Sequence, residues 1–167
     1  LEEVPKRYVV HVTGDNRYKL YLNGKEVSEG PQEGDLNNWN FETVDLGPYL
    51  EKGKNVLSAV VWNYGLYRPV SINSLRTGFL LQGDTEKEEM VNTNRTWKCI
   101  KDSSYSAYET PVFGFYAAGP GENVEGRKYP WGWKEKDYDD RNWREAEELM
   151  EGNMKSGPGN YGGWLLV

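Results

Sequence analysis

Residues 34–65, GDLNNWNFETVDLGPYLEKGKNVLSAVVWNYG, constrain the fold more than any other part of this chain. They run through an aromatic loop, a short strand, a tight helical turn and a long apolar strand in quick succession. Just upstream, DNRYKLYLNGKEV (residues 15–27) sets Asn23-Gly24 between two runs of alternating apolar residues. That pattern predicts a hairpin closed by a two-residue type I′ turn, in which Gly24 takes the positive φ at no steric cost. Short strands separated by tight turns point to a β-sandwich.

The remaining segments extend that pattern. Residues 8–13 alternate Tyr8, Val10 and Val12 against Val9, His11 and Thr13, which suits a strand covered on both faces. In residues 18–22, Tyr18, Leu20 and Leu22 should meet the core while Lys19 and Tyr21 face solvent. Residues 41–46 read as a short strand, and residues 47–51 as one helical turn with Pro48 at its first position and Gly53 ending it. Residues 56–62 form the most apolar strand, whose small Ser58 and Ala59 predict a crowded central place between the sheets. Residues 77–81 and 96–100 read as two more strands joined by a polar hairpin connection at residues 83–89. Residues 103–129, rich in Gly, Pro, Ser and Tyr, predict long irregular connections, the places where binding residues concentrate.

Residues 8–100, carrying the hairpin and the 34–65 succession, resemble the non-catalytic β-sandwich near the N-terminus of bacterial α-L-rhamnosidases of glycoside hydrolase family 78. WKEKDYDDRNWREAEEL (residues 133–149) adds to it, because a similar Asp-rich turn followed by a Trp often precedes the last strand of galactose-binding-like domains. The resemblance implies an all-β fold, a galactose-binding-like jelly-roll sandwich of two antiparallel sheets with long irregular loops. It also implies that residues 1–167 are one domain of a larger polypeptide, with an (α/α)₆ catalytic barrel beyond residue 167. The absent initiator Met, and an end within the apolar run Trp164-Leu165-Leu166-Val167, fit such a fragment. A rhamnose-containing oligosaccharide or polysaccharide, the catalytic domain of the same polypeptide, and a periplasmic or extracellular location follow from the resemblance alone.

Charge and composition exclude several other classes. A net charge of −6 without a Lys/Arg block argues against nucleic acid and anionic membranes, and no apolar run is long enough for membrane insertion. Cys99 is the sole cysteine and His11 the sole histidine, which rules out an internal disulfide and any Cys-rich or His-containing metal cluster. His11 reads as a packed or hydrogen-bonded ring and Cys99 as a small core residue. Gly119-Pro120-Gly121-Glu122 lacks the Lys-Ser/Thr of a phosphate loop and reads as a rigid turn. Among 26 acids no pair stands out as the two carboxyl groups of a glycosidase, so no catalytic residue is assigned.

Sugar recognition is the chemistry that the residue types favour. The C–H face of a pyranose packs on an aromatic ring while polar groups fix its hydroxyls, and the chain has seven Trp and twelve Tyr. Candidate ligand-binding residues are Trp39 between two Asn, the Asn63, Tyr64, Tyr67 and Arg68 cluster after Trp62, and Trp131 and Trp133. Asp15 and Asn16 join them because the family has a similar pair there, although the ordinary task of such a pair is to cap a turn. If the three aromatic loops gather at one end of the sandwich they form a wall. Trp62 reads as core, and Trp131 and Trp133 could instead dock against the catalytic domain. No cofactor is expected; Asp139 or Asp140 should cap a helical turn before a packed Trp143, with a structural calcium on Asp137, Asp139 and Asp140 as the alternative. Two functions remain open: a carbohydrate-binding accessory module, or a scaffold that packs on the barrel and binds no sugar. A concave pocket lined by the aromatics favours the first, a flat patch the second.

Overall fold

The computed structural model describes residues 1–108, 121–149, 153–154 and 165–166. Strand β1 (Val9–Asp15) runs into β2 (Arg17–Leu22), and Asn16 between them carries the chain from one sheet to the other. β2 turns back into β3 (Lys25–Gly30) through Asn23 and Gly24, whose φ values of 52° and 80° are those of a type I′ turn. The turn is locked from outside, since the Asn23 side chain accepts from the Val56 N–H at 2.9 Å. A bulge leaves Val27 of β3 without a partner, because Leu20 faces Ser28 while Tyr21 faces Glu26.

Two three-stranded antiparallel sheets form the sandwich. In the first, β1 lies between β4 (Glu42–Asp45) and β6 (Gly78–Gly83); in the second, β2 lies between β3 and β5 (Leu57–Trp62). The two central strands face each other across the core. Tyr8, Val10 and Val12 meet Tyr18, Leu20 and Leu22, with Leu46 and Leu81 completing a fully buried centre. Period-two alternation thus places these side chains as expected, and the opposite face of β1 is also covered, with Val9 and Thr13 buried. His11 is the hydrogen-bonded ring expected: Nδ1 meets the Thr43 hydroxyl at 3.0 Å and Nε2 the Asp84 carboxylate at 3.1 Å.

Among the described residues there is no α-helix, and hence none long and apolar enough to cross a membrane. The described residues include three 3₁₀ turns, Gly47–Tyr49, Gly65–Tyr67 and Glu89–Val91, the first with Pro48 where the sequence places it. The smaller ladders pair β7 (Lys98–Cys99) with β10 (Arg144–Glu145), β8 (Tyr105–Tyr108) with β9 (Gly121–Val124), and, in parallel, β11 (Asn153–Met154) with β12 (Leu165–Leu166).

Four expectations need correction. β5 is half-buried along its length and, among the described residues, stands at the edge of its sheet. Its Ser58 and Ala59 are small because Tyr21 and Leu20 lie directly opposite. β6 and β7 do not form a hairpin: β6 pairs with β1, and the chain returns beside it at Asn92, whose side chain accepts the Gly83 N–H, and at Thr93, whose hydroxyl accepts the Leu81 N–H and whose N–H bonds the Leu81 carbonyl at 2.9 Å. Residues 103–129 are not wholly irregular, since they contain β8 and β9. Cys99 is exposed, because β7 is a two-residue ribbon outside the core. Of the turn read at Gly119-Pro120-Gly121-Glu122, the first two residues lie outside the described residues, and Gly121 and Glu122 belong to β9.

Candidate functional site

The passage from β1 to β2 is held by a buried polar knot. Asp15 is fully buried, and its Oδ2 accepts the backbone N–H groups of Leu75 and Arg76 at 2.8 and 3.1 Å. Its Oδ1 accepts from the Asn63 and Asn16 side-chain amides at 2.9 and 3.1 Å. Asn16 in turn donates to the Asn73 carbonyl and accepts the Tyr64 N–H, both at 2.9 Å. Asn63 also donates to the Ser74 hydroxyl and accepts the Gly65 N–H. A buried carboxylate needs such a shell of donors. Asp15, Asn16 and Asn63, three of the ligand-binding candidates, thus engage their polar atoms inside the chain and fix both ends of the loop from Tyr64 to Arg76.

That loop presents apolar side chains to solvent. The Gly65–Tyr67 turn points Leu66 outward, and Leu66 and Val70 are 100% and 104% exposed relative to the free residue. Tyr64, Tyr67, Arg68 and Leu75 are exposed beside them. Tyr64, Tyr67 and Arg68 are therefore accessible where the sequence analysis put them. Their companions Leu66, Val70 and Leu75 were missed, because apolar residues in a loop without strand or helix period carry no burial signal.

Trp39 lies nearby but offers no ring face. It is 4% exposed, its Nε1–H donates to the Thr13 hydroxyl at 3.0 Å, and it covers the outer face of β1. With Asn16, Pro31, Ile72 and Asn73 it lines a narrow cleft. Trp39, a ligand-binding candidate in the sequence, is thus a packed ring whose exposed fraction is small.

The third aromatic loop lies elsewhere. Trp133 packs edge-on against Tyr21, on the outer face of β2, at 5.6 Å between ring centroids. The Lys134 ammonium sits 4.4 Å above the same Tyr21 ring. Trp133 Nε1–H donates to the Tyr129 hydroxyl at 3.1 Å, and Tyr129 contacts Trp131 at 4.8 Å and Tyr105 at 6.3 Å. Burial, then the Glu26 charge, pushes the Tyr21 hydroxyl pKa up. Beyond this cluster the chain straps the hairpin tip: Lys136 pairs with Glu51 at 2.5 Å, Lys54 donates to the Lys136 carbonyl, and a Cβ on Gly24 would stand 3.0 Å from Glu135. Trp62 faces Arg17 at one end of β2 and Tyr21 stands four residues on, about 13 Å away at strand rise. The three loops thus do not form one wall. Two meet around Asp15 and Asn16, and the third covers the opposite end of β2.

At residues 137–143 the expected capped helical turn is a non-helical one. Trp143 N–H closes it on the Asp140 carbonyl at 2.9 Å, and Asp139 accepts the Arg141 N–H at 3.2 Å. Trp143 is half-buried against Tyr138. The Arg141 guanidinium holds the Asp139 carboxyl below its ordinary range, and Asp140 pairs with Lys98 at 3.0 Å. Among the described residues no group of three or more His, Cys, Asp or Glu side chains is placed to hold a metal ion.

The family described as "Alpha-L-rhamnosidase N-terminal domain" matches residues 3–155. The fold is similar to part of a GH78 family rhamnosidase of Bacillus sp. GL1, with a TM-score of 0.76 and 19% identity over 99% of this chain and 17% of that one. It is also similar to part of an α-L-rhamnosidase from Dictyoglumus thermophilum, with a TM-score of 0.62 and 21% identity over 87% of this chain and 16% of that one. The chain therefore spans about a sixth of either enzyme's length. No curated protein matches it significantly in sequence.

Proposed function

Since the chain belongs to the α-L-rhamnosidase N-terminal domain family, we propose that it is a non-catalytic accessory domain of an α-L-rhamnosidase-type glycoside hydrolase acting on rhamnose-containing polysaccharide. Its first task in this reading is that of a scaffold, docking on another domain of the same polypeptide through residues 64–75. The observation that carries the reading is full exposure of Leu66 and Val70, flanked by Tyr64, Tyr67 and Leu75, on a loop fixed by a buried carboxylate. Contiguous apolar exposure of this kind marks interaction surfaces, and aliphatic side chains with Tyr and Arg68 suit a protein partner. The similar enzymes are about six times longer than the chain, so the domain would have neighbours to dock on.

The reading requires no cofactor, and a periplasmic or extracellular location belongs to it because polysaccharides meet their enzymes outside the cytoplasm.

The test is the double substitution Leu66→Ser and Val70→Ser. In the chain alone it should change folding stability by less than about 0.5 kcal/mol, as exposed substitutions do. In the polypeptide that carries the domain it should lower the melting temperature and speed proteolytic release of the domain. Equal behaviour of variant and parent in the long polypeptide would remove the docking role.

A further inference from the structure

We infer, resting on the docking reading above, that the domain surface receiving residues 64–75 is acidic as well as apolar, and that Arg68 pairs with a carboxylate there. Residues 52–83 make up about a fifth of the chain and hold none of its 26 acids, although they carry Lys52, Lys54, Arg68 and Arg76. In a chain of net charge −6, the stretch that contains the docking loop is therefore cationic. A contact surface of one sign favours a partner of the other.

Arg68 is placed for such a pair. It is exposed and lies two residues from Leu66 and two from Val70, which are both fully exposed. Its backbone is fixed between two turns: the Arg68 N–H bonds the Gly65 carbonyl at 3.5 Å, and the Ile72 N–H bonds the Pro69 carbonyl at 3.0 Å. Pro69 also holds Arg68 to extended backbone, at φ −64° and ψ 140°. Among the described residues Arg68 has no ion-pair partner, since Asp15 is enclosed in the knot and Glu147 pairs with Arg76 at 3.8 Å. Glu33 lines the cleft beside Ile72 and Asn73. The planar guanidinium takes a carboxylate through two parallel hydrogen bonds while the aliphatic neighbours enter apolar pockets. The phosphates of nucleic acid or of a membrane come as arrays, which Arg68 on a chain of net charge −6 does not match. A second copy in a two-fold contact would set this cationic loop against itself. A carboxylate-bearing face of a neighbouring domain is the occupant that meets both the charge and the apolar side chains.

The experiment follows proteolytic release of the domain from the polypeptide that carries it. Arg68→Glu should speed release about tenfold or more, Arg68→Ala less, and Arg68→Lys, which keeps the charge without the fork, least of the three. Raising the salt from about 0.01 to about 0.15 M shortens the Debye length from about 30 to about 8 Å. That change should speed release from the parent and affect Arg68→Ala far less. In the 167-residue chain alone, Arg68→Glu should unfold at the parent's urea concentration, which separates a lost contact from a lost fold. If the Leu66→Ser and Val70→Ser double variant loosens the domain while Arg68→Glu and salt do not, docking stands and the acidic partner falls. If none of them loosens it, both fall. Salt-sensitive self-association of the chain alone, abolished by Arg68→Glu, would make a second copy the occupant and overturn the assignment as well.

Discussion

The docking loop and the aromatic strap hang from opposite ends of β2 and are fixed by different chemistry. Residues 64–76 are held by Asp15, Asn16 and Asn63, whose bonds are mostly part-buried, around a fully buried carboxylate. Residues 129–136 are held by ring edges, one hydroxyl bond and exposed pairs such as Lys136 with Glu51. A buried polar network fixes geometry closely and loses much if one member is removed. Ring contacts and surface ion pairs are individually weak and tolerate adjustment. The exposed aliphatic side chains therefore rest on the stiff support and the aromatic cluster on the pliant one.

The contrast is broken most severely at Asp15. Asp15→Ala would strand two backbone N–H groups and remove one of the two partners of the Asn16 and Asn63 side-chain amides, at an expected cost of about 3–5 kcal/mol by urea denaturation. A loss below about 1 kcal/mol would mean that water replaces the carboxylate and that the knot is no stiffer than the strap.

Tyr18 tests what the two regions share. It is fully buried in β2 between them, and burial pushes its hydroxyl up to about 12 from 10.0, against the opposing effect of its bond to Ser28. The folded pKa is the raised one, so this contribution is complete below pH 10 and is lost as the pH rises through about 12. Its full size is about 3 kcal/mol. Stability curves of the parent and of Tyr18→Phe should diverge in that window, with the variant the flatter. Superimposable alkaline limbs would show that Tyr18 ionises without disturbing the core.

The sequence reads well where structure is local. Asn23-Gly24 carries its own turn geometry, and the alternation of Tyr18, Leu20 and Leu22 needs only one buried face to be correct. Distant pairing leaves no such trace. Nothing in residues 77–100 says that β6 will choose β1 over the strand that follows it, because both partners are short and apolar enough. The capping chemistry of Asp15 was legible as the ordinary task of its residue type, but Leu75 and Arg76 lie sixty residues or more away. Among the aromatics, Trp39 and Trp131 share a loop grammar, each with Asn, Pro or Gly beside it, yet one is 4% exposed and the other 73%. Only the tertiary neighbours, Thr13 for the first and Gly126 for the second, decide which ring is buried.

Trp133 gives the smallest effect on stability and the sharpest comparison. Trp133→Ala removes the edge contact with Tyr21 and the bond to Tyr129. Because the ring is only half-buried, the expected cost is about 1–2 kcal/mol, below that of a core Trp. With Tyr129 released, Trp131 should lose its backing, so that hydrogen exchange quickens at the Trp131 and Trp133 N–H groups, which close local turns. The Tyr64 and Leu75 N–H groups, bonded to Asn16 and Asp15, should keep their protection. If they too exchange faster, β2 transmits the change from one end to the other. The loop at residues 64–76 and the aromatic cluster at residues 129–133 would then be a single coupled unit.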